Sequence, residues 1–526
     1  MRKIIATLFL MVGVVLCAQQ INYSQKLAFA ESVIERYYVD KVRPDTIVDE
    51  AIRAMLRTLD PHSSYSTPEE TRDLTEPLDG NFSGIGISFN MLQDSIYVIE
   101  LISGGPAERV GMRPGDRIVA ADGTRLSGVK MKNTDVRKYL RGPKGTRVDV
   151  TVVRHGEKEP LQFRITRDNI PVYSVDASYM VNKTVGYIRI SRFAADTDKE
   201  VRQALDKLTK QGMKDLIIDL ESNGGGYLQS AAKIAEIFLP KGNLLVYTEG
   251  PHYPRQDFVA SGSKQFPGRL VVTVDQYSAS ASEIFAGAVQ DYDRGVIVGR
   301  RTFGKGLVQR PFPFPDGSMI RLTIARYYTP SGRCIQKPYK EGEGDKYKEE
   351  LLDRYKAGEY SSADSIHVPD SLVYHTINRG RVVYGGGGIM PDKFVPVDTT
   401  EFSPYASRLI AKGTINFYAM DYVDRNREKI KTDYPTADIF VERFVADDTM
   451  LNEIIERGKT DKVEFKEEEF ARSREYIRTL LKAYIARDVY SSGDYFKVTN
   501  PRNPIFREAV ELLSSPNDYN RLLNTH

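Results

Sequence analysis

Cysteine is nearly absent from this chain, with two in 526 residues, Cys17 and Cys334. Once the leader described below is removed, Cys334 stands alone, which excludes an internal disulfide and leaves a buried thiol as its expected role. Neither sign of charge is in excess. The net charge is +3, and without Arg2 and Lys3 of the leader about +1 remains on the same count. No dense basic patch interleaved with aromatics occurs, so no nucleic-acid partner is expected. Histidine is scarce, with six in the chain. His367 and His375 have no close acid–His pattern, so no metal site is expected. No GxGxxG spacing and no GK[ST] follows a glycine turn, which argues against dinucleotide and phosphate cradles.

What is present is a long globular chain. Hydrophobic residues make up 41% and charged residues 28% of it, enough for two to four domains with ample core. The start, MRKIIATLFLMVGVVLCAQQ, has a basic opening, an apolar run from Ile4 to Leu16 and small residues at Cys17 and Ala18. That is the pattern of a secretory signal, 1–18, with cleavage near Ala18. The run is short for a membrane span. Lipidation at Cys17 is the other reading, against which Leu16 is bulky where a small residue is wanted. The expected location is therefore the periplasm or cell envelope, with membrane association left open.

Residues 270–309 are the stretch around which the chain is organised. Leu270 to Val274 is an apolar, β-branched run with the pattern of a buried strand. Ser278-Ala279-Ser280-Ala281-Ser282 follows, and from Glu283 the spacing of Ile284, Phe285, Ala288 and Val289 is helical. A hydroxyl at that junction sits beside free helix N–H groups and the positive end of the helix dipole. Such a place suits a nucleophile whose reaction develops an oxyanion; it also suits a simple helix cap, for which serine is favoured. Gly295 to Gly299 reads as a second buried strand, and Arg300-Arg301-Thr302-Phe303-Gly304-Lys305-Gly306 as a glycine-flanked turn. A lysine between two glycines has room to be drawn inward, and desolvation favours its neutral, basic form.

SASASEIFAGA followed by RTFGKGLVQ resembles the carboxyl-terminal processing (tail-specific) proteases, Ser/Lys peptidases of family S41. The resemblance implies that Ser280 is the nucleophile, Lys305 its base and Gln309 the residue that orients the lysine. It also implies an oxyanion hole made by the amide of Ala281 and that of Gly225 or Gly226, in the turn Ser222-Asn223-Gly224-Gly225-Gly226 after the buried strand Leu216 to Leu220. Glu221 and Gly224 depart from the arginine and proline usual in that turn; Glu221 is expected to face away from the site. No cofactor is implied.

The rest of the chain reads as support. Residues 19–79 are an N-terminal helical region with two helices over 24–59, ending at Asp60-Pro61-His62-Ser63. His62 invites a catalytic reading, but the role of a turn residue capping a helix is preferred. Residues 80–168 resemble a PDZ domain. In such a domain a peptide C-terminus adds as an edge strand, and a glycine-rich loop, here Ser83, Gly84, Ile85 and Gly86, holds its carboxylate. The resemblance makes Arg141, in the turn 140–146, a regulatory candidate that couples peptide binding to the dyad; a solvated turn arginine is the alternative. Residues 169–335 and 376–398 form the α/β protease core, crotonase/ClpP-like by resemblance. They are split by a charged insertion, 336–375, in which 341–356 is read as an exposed helix. Residues 399–526 read as a helical C-terminal domain, with a loop at 491–504.

The expectation is thus a multidomain α/β protein: an exported serine endopeptidase that binds protein C-termini through its PDZ domain and cleaves envelope proteins. An adaptor, a lipoprotein partner or a second copy of the chain remains open on the C-terminal domain. The alternatives are a PDZ-based peptide-binding scaffold with a gated or inactive protease body, and acyl-coenzyme A chemistry on the same α/β body.

Overall fold

The computed structural model describes residues 22–524, apart from Gln93 and Ser263; the expected leader lies outside the described residues. Strands Val185–Ile190, Asp215–Asp219, Leu270–Val274 and Val296–Gly299 run parallel at the centre of a six-stranded sheet. Lys393–Phe394 continues it in parallel, and Val175–Met180 closes the other edge antiparallel. Central parallel strands are covered on both faces, which is why Leu270–Val274 is apolar at nearly every position and buried throughout.

The two faces are covered from opposite ends of the chain. Helices Thr197–Lys210, Leu228–Ala235 and Ala281–Asp291 pack Val201, Ile234, Phe285 and Val289 on one face. The other face is covered by the last two helices, Pro504–Ser514 and Pro516–Asn524. Ile505, Phe506, Leu512, Leu513 and Tyr519 meet Ile217, Val271, Val296 and Val298 there. These two helices are therefore part of the α/β body. Ahead of it, helices between Pro404 and Thr499 enclose a separate core around Leu409, Phe440, Ile454 and Leu481.

A second, antiparallel sheet stands beside the main body. Met319–Tyr328 pairs with Leu307–Pro313, with Leu244–Gly250 and with Ser64–Ser66 from the N-terminal region. Helices Tyr23–Tyr37 and Pro44–Arg57 precede that short strand, and helix Pro68–Asp79 follows it. The β-rich domain is a five-strand meander, Ile87–Leu92, Ser95–Leu101, Arg117–Ala121, Arg147–Val153 and Leu161–Thr166, with a sixth short strand at its side. Helix Asn133–Leu140 buries Val136 and Leu140 against it.

Two readings of the sequence need correction. The stretch 491–504 holds helix Ser492–Thr499, because Ser491 and Asp494, which look like loop residues, make its first turn, with Ser491 Oγ donating to Asp494 Oδ2 at 2.6 Å. Helix Gly344–Lys356 exists but is not simply exposed: Tyr347 and Arg354 are buried.

If the terminal helices close the sheet, Leu513→Ala, at a side chain 2% exposed, should cost about 2–5 kcal/mol. Urea unfolding would register it as a lower midpoint, whereas an unchanged midpoint would mean the sheet is stable without that cover.

Candidate active site

The site lies outside the carboxyl ends of Asp215–Asp219 and Leu270–Val274, where open α/β sheets place their ligands. The loops leaving these neighbouring strands are tied to each other. Asp275 Oδ1 accepts the amides of Ser222 (2.9 Å), Tyr277 (3.0 Å) and Ser278 (3.0 Å). Ser278 Oγ donates to Leu220 O at 2.8 Å, and Ser282 Oγ to Asn223 O at 2.9 Å. The outer serines of SASAS thus staple the two turns together, and Ser280 between them is left at the cavity.

Ser280 begins helix Ala281–Asp291 at φ 57°, ψ −113°, a conformation that costs an L-residue about 1–3 kcal/mol and persists only when its surroundings impose it. Gly225 is pressed against it. A Cβ there would stand 2.7 Å from Ala279 O and 2.8 Å from Ser280 Cβ, at a φ of +103°. Gly226 is tighter still, with a Cβ position 2.2 Å from Phe193 O. The two glycines are not equivalent as donors. The Gly225 amide is engaged by Asn223 Oδ1 at 2.8 Å. Among the described residues, neither the Gly226 nor the Ala281 amide has an acceptor.

Lys305 faces the same cavity, about 710 Å³ in volume, which Gly224 to Gly226, Ser280, Gln309 and Tyr327 also line. Burial pushes its amine down to about 8; the Arg321 guanidinium adds to this, and the Glu283 and Asp60 carboxylates oppose it. Gln309 reaches the cavity too; its Nε2 donates to Leu307 O (3.2 Å) and Thr323 Oγ1 (3.5 Å). Thr323 Oγ1 in turn donates to Asp60 Oδ1 at 3.0 Å.

Two residues that the motifs do not name join these parts. Glu283 is fully buried and accepts four hydrogen bonds: from the Ser280 amide (2.7 Å), Thr302 Oγ1 (2.5 Å), the Gly304 amide (2.7 Å) and the Lys305 amide (2.9 Å). Burial raises its carboxyl to about 7, against the pull of those four donors. Its signal in the sequence is Ser280-x-x-Glu283, the spacing of a capping box. Tyr327, also buried, places its hydroxyl between the carbonyls of Ser280 (3.1 Å) and Lys305. Its distance from both in sequence leaves no local signal.

His62 is not the helix cap expected. Asp60 makes the turn, accepting the amides of His62 (2.8 Å) and Ser63 (2.9 Å). The imidazole is half-buried, 3.0 Å from Tyr347 Oη, and is held down at about 3 by desolvation and by the Lys305 charge. It is therefore neutral across the physiological range. Glu221 turns to the C-terminal region, where Asn503 Nδ2 lies 3.1 Å from both of its carboxylate oxygens.

A second cavity, about 930 Å³, opens along the edge of the β-rich domain. Ile85 and Gly86 line it, with Ile87, Phe89 and Leu140. Ser83 and Gly84 do not: they belong to strand Asn81–Gly84, paired with Asp168–Pro171. Arg141 lies 4.7 Å over the Phe82 ring and pairs with Glu76, while Arg137 pairs with Asp73 at 3.3 Å and Lys138 with Glu69 at 3.4 Å. These partners are on helix Pro68–Asp79, whose Leu74, Pro77 and Leu78 line the Ser280 cavity. Arg141 therefore meets the wall of that cavity rather than the serine or lysine.

The close approach at Gly226 is testable. Gly226→Ala should lower stability by about 3 kcal/mol or more, since the new methyl meets backbone that cannot retreat. Gly224→Ala, with open space around it, should melt close to the parent, and equal melting of the two variants would contradict this geometry.

Residues 184–342 match peptidase family S41, residues 83–175 match the PDZ domain, and residues 405–491 match a family of unknown function (DUF8443). A carboxyl-terminal-processing protease from Synechocystis sp. is 38% identical over 309 residues, covering 58% of this chain and 72% of the relative. A carboxy-terminal-processing protease from Bartonella bacilliformis is 35% identical over 352 residues, 64% of this chain and 80% of that one. The solved photosystem II D1 C-terminal processing protease is 30% identical, with a TM-score of 0.32 over 58% of this chain and 83% of its own. With a catalytic-type body, a PDZ domain and relatives matched over most of their length, the chain belongs to the carboxyl-terminal-processing serine proteases of peptidase family S41.

Proposed function

We propose that Ser280 and Lys305 are the catalytic dyad of an exported endopeptidase that takes protein C-termini in its PDZ domain and cleaves envelope proteins. The observation that carries this reading is a strained serine and a largely desolvated amine facing one cavity, beside two amides that have no acceptor among the described residues. In this mechanism Ser280 Oγ attacks the scissile carbonyl carbon as Lys305 Nζ takes its proton. The carbonyl oxygen becomes an oxyanion held by the Ala281 and Gly226 amides, each donor contributing on the order of 3 kcal/mol. The ammonium then protonates the leaving amine. Water attacks the acyl-serine with Lys305 again as base, and the acid leaves with Ser280 restored.

The lysine's surroundings decide whether this is feasible at neutral pH. With its pKa at about 8, about a quarter of the amine is neutral at pH 7.5, against about one part in a thousand at the ordinary value. Gln309 is proposed to orient the amine after its amide turns from Leu307 O and Thr323.

The gated form of the reading also has support. Helix Pro68–Asp79 lines the cavity and is tied to residues 137–141 of the PDZ domain by two half-exposed ion pairs, Arg137–Asp73 and Lys138–Glu69, and by the more buried Arg141–Glu76 pair. Exposed pairs are worth about 0–1 kcal/mol each, so the Arg141–Glu76 pair is the link through which a peptide in the PDZ groove would act on that helix. Helix Tyr23–Tyr37 has no buried residue and exposes Tyr23, Phe29 and Tyr37, which supports association with an adaptor or a second copy.

Ser280→Ala and Lys305→Ala should each abolish hydrolysis of an unfolded protein such as β-casein while leaving the melting profile of a folded chain. Retained cleavage by purified Lys305→Ala would reject the lysine as base. The wild-type kcat/KM should rise with pH through about 8, following loss of the Lys305 proton; a profile flat from about pH 6 to 9 would reject a lysine titrating there.

A further inference from the structure

The charged insertion is packed on the turn that carries Lys305. Four backbone groups around the lysine are held by residues 336–354. Arg354, whose side chain is 2% exposed, donates from Nη1 to Thr302 O at 2.8 Å and from Nη2 to Phe303 O at 3.2 Å. The Lys337 amide donates to Gly304 O at 2.9 Å, and Gln336 Oε1 accepts the Gly306 amide at 2.8 Å. Tyr347 closes the arrangement. Its ring meets Phe303 edge-on at 5.8 Å and His62 at 5.0 Å, and its hydroxyl joins Gln336 Nε2 (3.1 Å) to His62 Nε2 (3.0 Å). The Lys337 amine stands 4.1 Å over both the Phe303 and Tyr347 rings and pairs with Glu350 at 2.7 Å; Glu350 also accepts from Arg354 Nε at 2.5 Å.

We infer that Arg354 and Tyr347 are positioning residues for Lys305: the insertion helix clamps the backbone of the lysine turn and so fixes where the amine enters the cavity that Ser280 lines. The inference rests on the dyad reading above. A turn of two glycines around a lysine has no side chains of its own to fix it, and moving a catalytic group by about 1 Å costs on the order of a hundredfold in rate. The charged groups that act on the lysine from the surrounding elements are Glu283, Arg321 and Asp60, and its charge acts in turn on His62. Around Arg354 stand Glu350, Lys337 and Arg301. Loosening the clamp admits water to the ammonium, which favours its charged form, so the pH needed for activity should rise.

The test uses the full chain with β-casein as substrate. Arg354→Met removes both carbonyl contacts; Tyr347→Phe removes only a hydroxyl and changes no charge on a cation. Lys348→Ala, on the exposed side of the same helix, is the control. Arg354→Met should lower kcat by about ten- to a hundredfold, leave KM within about twofold, and move the pH midpoint of kcat/KM upward by about one unit. Tyr347→Phe should shift the midpoint in the same direction by less, and Lys348→Ala should shift nothing. If Arg354→Met does not fold, the Tyr347→Phe midpoint decides. A midpoint unchanged in the folded variants, with activity lost only in proportion to unfolded protein, would overturn the clamp. If instead Lys305→Ala keeps wild-type hydrolysis, it is the dyad that falls, so the two failures are distinguishable.

Discussion

One buried carboxylate holds the candidate active site together. Glu283 accepts the amide of Ser280 on one side and the amides of Gly304 and Lys305 on the other, with the Thr302 hydroxyl as fourth donor. A carboxylate in a dry interior is costly unless its lone pairs are satisfied. Here each donor comes from a segment whose position matters, so the electrostatic need of one side chain fixes the spacing of two loops. Tyr327 repeats the linkage on the carbonyl side, between Ser280 O and Lys305 O. The serine's unusual dihedrals persist because this frame leaves no alternative.

The frame needs a rigid base. Ser280 and the glycine turn leave adjacent parallel strands that are buried on both faces, and one of those faces is closed by the last two helices of the chain. Residues that meet nothing reactive thus bear on the site through the sheet. The same holds for the insertion, which touches the lysine turn at four backbone groups, and for the N-terminal segment, whose Asp60 reaches Gln309 through Thr323.

How much of this could be read beforehand follows from range in sequence. Ser280, Lys305, Gln309 and the glycines Gly225 and Gly226 lie in short motifs, where residue type and spacing carry the information. The buried strands were legible from apolar runs, and the terminal helices from the recurrence of Phe506, Val510, Leu512 and Leu513. Their destination was not legible, since a helical stripe states that something is covered and not what. Glu283 had a local signal in its capping-box spacing. Tyr327, Tyr347 and Arg354 had none: the lysine-turn residue each one touches lies 22 or more positions away in the chain, and periodicity describes neighbours. The helix at Ser492–Thr499 was hidden for a different reason, because serine, glycine and aspartate serve both as loop formers and as a first helical turn.

The arrangement also sets a direction for the chain's own stability. Moving a lysine from its ordinary value of 10.5 to about 8 corresponds to roughly 3 kcal/mol against the folded state. The folded pKa lies below the unfolded one, so this penalty is present in full below about pH 8 and fades as pH rises toward 10.5. At neutral pH the fold therefore carries the cost of holding the Lys305 amine partly neutral. The side chains that clamp residues 302–306, Glu283, Tyr327, Gln336 and Arg354, are buried. Exposed contacts of about 0–1 kcal/mol each could not hold an unwilling ammonium away from water; buried ones can, and the lysine turn is gripped by the interior side chains Glu283, Tyr327 and Arg354.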